Sequence, residues 1–313
     1  MDKITDILVI VNPLIREQAA VAKAAALARW FGAGIELLVC DTKTSRGTHT
    51  EGESPPIGNA SLSDNLNALL DDIAEPLRDD GIDVTTHVIS GDPLHEAVLS
   101  WMRNSPADMV IKDTHHHSYA KRALAVNTDW HLMRACPVLL LLTKPKAWGT
   151  PPVLMAAVDP GHPNDPWVAL DQRILDVTVS MAKRIDAQVH AMHAYLPATI
   201  ATAAVGGMLA LVGVSAEALA SEKERRRSQI KQLTDRYGVA EANLHVDAGP
   251  AAEYVPRMAA QWHADIVVMG ALARSSLKRA LLGSTAERVL ETLPCDVLVV
   301  KSPNFAQNLP FGN

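Results

Sequence analysis

Two stretches of the chain repeat each other: ILVIVNP at Ile7–Pro13 and LMAAVDP at Leu154–Pro160, 147 residues apart. Each is a short aliphatic run that stops at a polar residue and a proline, the pattern of a buried strand entering a turn. Working outward, HVISG at His87–Gly91 pairs with HVDAG at His245–Gly249 at a spacing of 158. DMVIKD at Asp108–Asp113 pairs with DIVVMG at Asp265–Gly270, and KRAL at Lys121–Leu124 with KRAL at Lys278–Leu281, both at 157. CPVLLL at Cys136–Leu141 pairs with CDVLVV at Cys295–Val300, at 159. One fold is therefore written twice. The step from 147 to 158 places roughly eleven extra residues in the second copy, within an interval that also holds the uncharged stretch Ala198–Val214.

Each copy reads strand, helix, strand, helix, strand, helix, strand, helix, strand. In the second copy strands are expected near Val153–Val158, Gln188–Ala194, Asn243–Val246, Asp265–Met269 and Val297–Lys301. Helices are expected over Asp165–Ile185 and Ser215–Tyr237, the latter stopped by Gly238. Short apolar runs alternating with helical periods indicate βαβ units and a parallel sheet. Pro256 fits poorly inside a helix over Ala251–Trp262, where it costs about 3 kcal/mol unless the helix starts late or kinks. The stretch KPKAWGTPP at Lys144–Pro152 breaks both helix and strand and is read as a hinge near Trp148. The domains are accordingly placed at residues 1–145 and 150–313.

Composition agrees with this and excludes other classes. The 313 residues hold 35 Asp and Glu against 29 Lys and Arg, a formal charge of −6, which argues against sequence-independent nucleic-acid binding. Hydrophobic residues make up 48% and aromatics only 4%, so the core is built from Ala, Val, Leu and Ile, as buried parallel strands require. Cys40, Cys136 and Cys295 form no C-x-x-C motif, and a disulfide framework or zinc ribbon is not indicated. The opening MDKITDILVIVNP is acidic at position 2 and too briefly apolar for a signal peptide, so a cytoplasmic protein is expected. Ala198–Val214 is shorter than the ~20 residues of a membrane span and rich in Ala, Gly and Thr; it is read as buried or semi-mobile, not as a span.

In an open parallel sheet, ligands bind beyond the carboxyl ends of the strands where strand order reverses. In the second copy Asp159, the loop after Gly270, and Gly283-Ser284 opening the last helix converge there. A glycine after a strand lets backbone approach a ligand, and small residues at a helix start leave amides for phosphate. Arg274, Lys278 and Arg279 add cationic contacts, and Asp159 can accept from a ribose hydroxyl or an adenine amine. Ser284-Thr285-Ala286-Glu287 is equally a capping box, a sufficient structural reason for Ser284.

The run G-A-L-A-R-S-S-L-K-R-A-L-L-G-S-T from Gly270 resembles the phosphate loop of universal stress protein domains, G-x2-G-x9-G-[ST]. Gly270, Gly283 and Ser284 match, and Ala273 stands where the second glycine belongs. With NTDWHLMRACPV at Asn127–Val138, the doubled chain resembles the tandem, E-type branch of that family over essentially its whole length. The resemblance implies an α/β fold of two Rossmann-like domains, adenine nucleotide alpha hydrolase-like, each a five-stranded parallel sheet with helices on both faces. It further implies a site of Asp159, Ala194, Met269, Gly270, Ala273, Arg274, Gly283, Ser284 and Thr285 for ATP or AMP, with no metal beyond nucleotide-bound magnesium. A pseudo-dimer of the two halves through Val138–Leu142 and Val297–Lys301 is also implied, and a homodimer is compatible with it.

The first copy departs from this pattern. Its loop D-T-H-H-H-S-Y-A-K-R-A-L-A-V-N-T puts Asp113, His116, Val126 and Asn127 at the four positions, and Asn12 replaces the acid found at Asp159. No nucleotide is expected there. The triplet His115–His117 is read as a solvated loop, and His190 and His193, three apart on a strand, face opposite sides. Glu222–Arg227 is expected on the wet face of a helix with i,i+4 pairs. No G-x-S-x-G, H-E-x-x-H or complete P-loop appears, so a binding or regulatory protein is expected rather than an enzyme. The alternatives are a carrier for an apolar, lipid-like ligand, with Ala198–Val214 as its lid, and a slow ATPase.

Overall fold

The computed structural model describes residues 3–15, 17–41, 62–114, 122–160, 165–197, 215–270, 284–302 and 305. The chain forms two compact units, Asp2–Lys146 and Ala147–Asn313. In the N-terminal unit the order is β1 (Asp6–Val11), α1 (Ala19–Phe31), β2 (Gly34–Asp41), α2 (Leu62–Asp79), β3 (Val84–Ser90), α3 (Leu94–Trp101), β4 (Met109–Asp113), α4 (Arg122–Ala135) and β5 (Leu139–Thr143). Its strands pair in parallel in the order β3-β2-β1-β4-β5.

The C-terminal unit repeats the pattern with β6 (Val153–Ala157), α5 (Asp165–Ile185), β7 (Gln188–Tyr195), α6 (Ala216–Thr234), β8 (Leu244–Ala248), α7 (Ala251–Gln261), β9 (Ile266–Gly270), α8 (Ser284–Thr292) and β10 (Asp296–Val300). Its parallel order is β10-β9-β6-β7-β8. Ile7–Val11 and Val297–Val300 are buried residue after residue, so both faces of each strand are covered. A repeated aspartate ties the central strands together: Asp108 accepts from the Thr5 amide at 2.7 Å, and Asp265 from the Val153 amide at 2.9 Å.

Strand register revises the repeat in two places. Asp6 lies opposite Gly34 and Val153 opposite Gln188, so seven of the extra residues already precede β7. They lengthen α5 to 21 residues against 13 in α1. Leu37 lies opposite Thr86 and Ala191 opposite Leu244, which leaves four for the connection holding Ala198–Val214. That stretch is therefore the counterpart of the polar connection 42–61 and not a separate insertion. Leu139 pairs with Met109 and Asp296 with Ile266, so the 157-residue spacing continues to the last strand. Pro137 then matches Pro294, and the cysteine alignment at 159 is two residues out of register.

Local expectations are met with two differences. Gly238 ends the helical segment after α6 at φ +71°, in the left-handed region glycine favours. Helix α7 runs through Pro256 instead of starting after it, and burial of Ala252, Tyr254, Val255, Met258 and Ala259 offsets the lost hydrogen bond. On α6, Glu222 does pair with Arg226 at i,i+4, but their side chains are only 14% and 20% exposed. Arg226 lies 5.6 Å over the Tyr195 ring, so part of the charge run faces the sheet and not the solvent. Of the stretch read as a hinge, Trp148 is anchored, its indole donating to Asp296 at 2.7 Å.

Candidate functional site

Strand order reverses between β6 and β9, whose register sets Ala157 beside Met269. Ala157 also faces Met192 of β7. Asp159 and Ala194 each follow two residues later, and Gly270 follows Met269 directly, so all three stand at one carboxyl edge.

Turn geometry fixes Asp159. Its amide donates to Asp171 Oδ1 of α5 at 3.0 Å, while its side chain remains 48% exposed at the sheet edge. Behind it, His193 is 1% exposed, with Nδ1 3.1 Å from the Val158 carbonyl and 3.6 Å from Asp159 Oδ1. A ring nitrogen facing a carbonyl must carry the proton, so Nδ1–H donates to Val158 and holds the turn that presents Asp159. His190, on the opposite side of β7, pairs instead with His245. The two histidines do face apart, but His193 adjoins the site, which its reading as a poor metal ligand had not suggested.

Gly270 has a packing reason of its own. A Cβ there would stand 2.4 Å from Leu170 Cδ2 and 2.9 Å from its Cγ. Leu170 lies on the extra turns of α5, and its side chain fills the space where residue 270 lacks one. Ala273, Arg274, Lys278, Arg279 and Gly283 lie outside the described residues, as do the side chains of Ser284 and Thr285; α8 begins at Ser284. Ala194 is half-buried and Met269 buried.

At the edge of this corner Tyr195 carries Arg226 on its ring, and beyond it Asp247 meets Lys223 at 3.3 Å and Arg257 at 3.6 Å. Burial, with Glu222 and Asp247 nearby, raises the Tyr195 phenol above its ordinary pKa against the pull of Arg226. Burial raises the Asp247 carboxyl too, but the Ala248 amide and Lys223 outweigh it and hold the group below its ordinary value.

The matching corner of the N-terminal unit is filled from within. Asp113, at the position of Gly270, is 3% exposed; its Oδ1 accepts from the Ala20 amide at the start of α1 and from Thr143, each at 2.8 Å. A carboxylate at the positive end of a helix is favoured twice, by the free amide and by the dipole. Asp129 of α4 accepts from Thr114 at 2.7 Å and pairs with Lys112 at 2.7 Å. Asn12 is held by Gln18, whose Nε2 donates to its carbonyl at 2.6 Å. His116 and the triplet His115–His117 lie outside the described residues, as do the side chains of Val126 and Asn127. Among the described residues no group of three His, Cys, Asp or Glu side chains is arranged to hold a metal ion, and no helix is long and apolar enough to cross a membrane.

The family model described as "Universal stress protein family" matches residues 3–144 and 165–301. Universal stress protein E of Escherichia coli K12 is 25% identical over 303 residues, 96% of this chain and 95% of that protein. A solved protein of unknown function from Pseudomonas aeruginosa PAO1 is 27% identical with a TM-score of 0.75, covering 97% of this chain and 95% of that one. A universal stress protein from Archaeoglobus fulgidus shares the fold at 16% identity, TM-score 0.64, over 95% and 96% of the two chains.

Proposed function

Since the chain belongs to the universal stress protein family and carries that domain twice, we propose that it is a stress-response binding protein whose C-terminal half alone, within 150–313, takes an adenine nucleotide. The observation that carries this reading is the contrast between strand ends. At the end of β9 stands Gly270 with Leu170 packed against it, and the carboxylates nearby, the half-exposed Asp159 and the buried Asp171, belong to the turn after β6 and to α5. At the same end of β4 the strand itself ends in the buried Asp113, with buried Asp129 beside it. An anionic phosphate near Asp113 and Asp129 meets like charge in a poorly screened setting, which costs far more than the same repulsion in water.

In this reading Asp159 accepts from the ribose or the adenine amine, with His193 holding its turn. Met269 and Ala194 line the base, and Gly270, Ala273, Arg274, Gly283, Ser284 and Thr285 surround the phosphates of ATP or AMP, magnesium entering only with the nucleotide. The first half, 1–145, serves as a structural partner in a cytoplasmic protein, and the two halves form the family's pseudo-dimer. The test is affinity for AMP in a variant carrying Gly283→Asp with Ser284→Glu, which places negative charge where phosphate would sit. A loss of at least tenfold supports the reading, and unchanged affinity removes it.

A second reading, a carrier of an apolar ligand, draws on Leu196 and Leu219, exposed at 55% and 39% on either side of the uncharged Ala198–Val214. Native mass spectrometry of the purified protein separates the two: a retained acyl species favours the carrier, a retained AMP or ATP the nucleotide site. Turnover of ATP with magnesium or manganese would instead support the slow ATPase.

A further inference from the structure

At the opposite, amino-terminal end of the C-terminal sheet, β7 and β8 are joined by a pair of histidines. His190 Nδ1 stands 2.8 Å from His245 Nε2. Trp262, just past the end of α7, lies tilted against both rings, with centroids 5.1 Å from His190 and 4.6 Å from His245. His190 is 4% exposed, and β8, which lies at the sheet edge, pairs among the described residues only with β7.

A contact between two ring nitrogens at hydrogen-bond distance holds one proton, whichever ring donates it. One further proton on an outer nitrogen leaves the bond intact; a second one turns both facing nitrogens into donors, and the pair must separate. The surroundings do not help a proton to enter. Arg227 of α6 is the charged group acting on the pair; it donates to the Leu244 carbonyl and is itself ion-paired to Glu241. Met155 of β6 stands opposite His190, Trp262 covers the rings, and Asn243 binds the Val189 carbonyl as a neutral group. Burial first, then His190 and Arg227, push His245 down to about 4, and burial lowers His190 as well.

The N-terminal unit builds the same corner from different groups. By register Glu36 is the counterpart of His190 and His87 that of His245. Glu36 accepts from Trp101 at 2.7 Å and Ser105 at 2.8 Å, and His87 Nε2 is 3.6 Å from its carboxylate. His87 thus faces a carboxylate, where His245 faces an imidazole and has a guanidinium nearby.

We propose that His190, His245 and Trp262 form an acid-operated latch, which holds the edge strand β8 to β7 at neutral pH and releases it on acidification. The latch is independent of the nucleotide site at the other end of the sheet. The folded pair binds protons less readily than an unfolded histidine, so its contribution to holding β8 is complete above the ordinary histidine pKa near 6.5 and is lost as pH falls from there toward 4. Allowing for solvent at the half-buried His245, opening of β8 at pH 5 is favoured about tenfold over pH 7.5.

Hydrogen exchange on the full chain, corrected for the intrinsic pH dependence of exchange, reads this directly. Protection of Leu244–Ala248 should fall about tenfold more than that of Val153–Ala157 between pH 7.5 and 5, and in His245→Gln the difference should vanish. Equal loss in both strands of the native protein, or the same excess loss in the variant, overturns the proposal. Should the variant fail to fold, the assigned imidazole resonances of His190 and His245 in the native protein decide: both remaining neutral well below pH 6 support the latch, and ordinary titration of both overturns it.

Discussion

At the carboxyl end of β4 the N-terminal half sets Lys112 and Asp113, with Asp129 from α4; at the same end of β9 the C-terminal half sets Met269 and Gly270, with Ala286 from α8. Both halves have the same strand order and the same switch point. In the first, the start of α1 receives an internal carboxylate. In the second, α5 begins earlier and Leu170 takes up the space beside a glycine. Two copies of one fold have thus closed the end of the fourth strand by different chemistry, one with the buried carboxylate of Asp113 and one with a glycine packed by Leu170. The difference makes the first corner a stability element; under the proposed function the second takes the ligand.

The largest expected effect follows from that division. Asp113→Ala leaves the Ala20 amide without its acceptor and the fully buried Thr143 hydroxyl with only the Lys112 carbonyl at 3.3 Å, and should lower unfolding free energy by about 2 kcal/mol in urea denaturation. Asp159→Asn, at the matching edge of the other half, should change stability by less than about 0.5 kcal/mol while weakening AMP binding about tenfold. Equal stability losses in the two variants would erase the distinction between the corners.

Gly270→Ala comes next, at about 1–3 kcal/mol, because the new methyl group meets Leu170. Thermal denaturation of the double variant with Leu170→Ala should show a loss smaller than the two single losses added, since the smaller side chain makes room. Strict additivity would mean that Leu170 is not what requires the glycine.

The smallest effect concerns the N-terminal half alone. His95 of α3 and His131 of α4 stack with centroids 3.9 Å apart and planes 3° from parallel. Burial, then His131, lowers the His95 pKa, with Glu96 opposing. A lowered histidine pKa means that the unfolded chain binds the proton more tightly, so stability is whole above the ordinary pKa and declines as pH drops below it. His131→Phe should keep the stack and the burial while removing the second cause, so it should lessen that decline; denaturation midpoints at pH 7.5 and 5.5 check it.

Much of this was readable from the residues because strands announce themselves by aliphatic runs, and a run that occurs twice is hard to mistake. Asp165–Ile185 emerged with its boundaries intact, and Asp159 and Gly270 fell at the switch point as their spacing required. Register was less legible: CPV and CDV align by eye, yet the equivalent residues are Pro137 and Pro294, and only strand pairing reveals it. Asp113 was visible as an intruding charge, but its partners Ala20 and Thr143 lie 93 and 30 residues away. Likewise, no local pattern links Leu170 to Gly270 or His190 to His245, since those contacts exist only after the sheet has formed.

The claim that the halves differ in ligand capacity is tested most directly by titrating the full chain with AMP and ATP in a calorimeter. The account predicts one site per chain, lost in Gly283→Asp with Ser284→Glu and retained in Asn12→Ala. Two sites per chain, or one site that survives the double substitution, would contradict it.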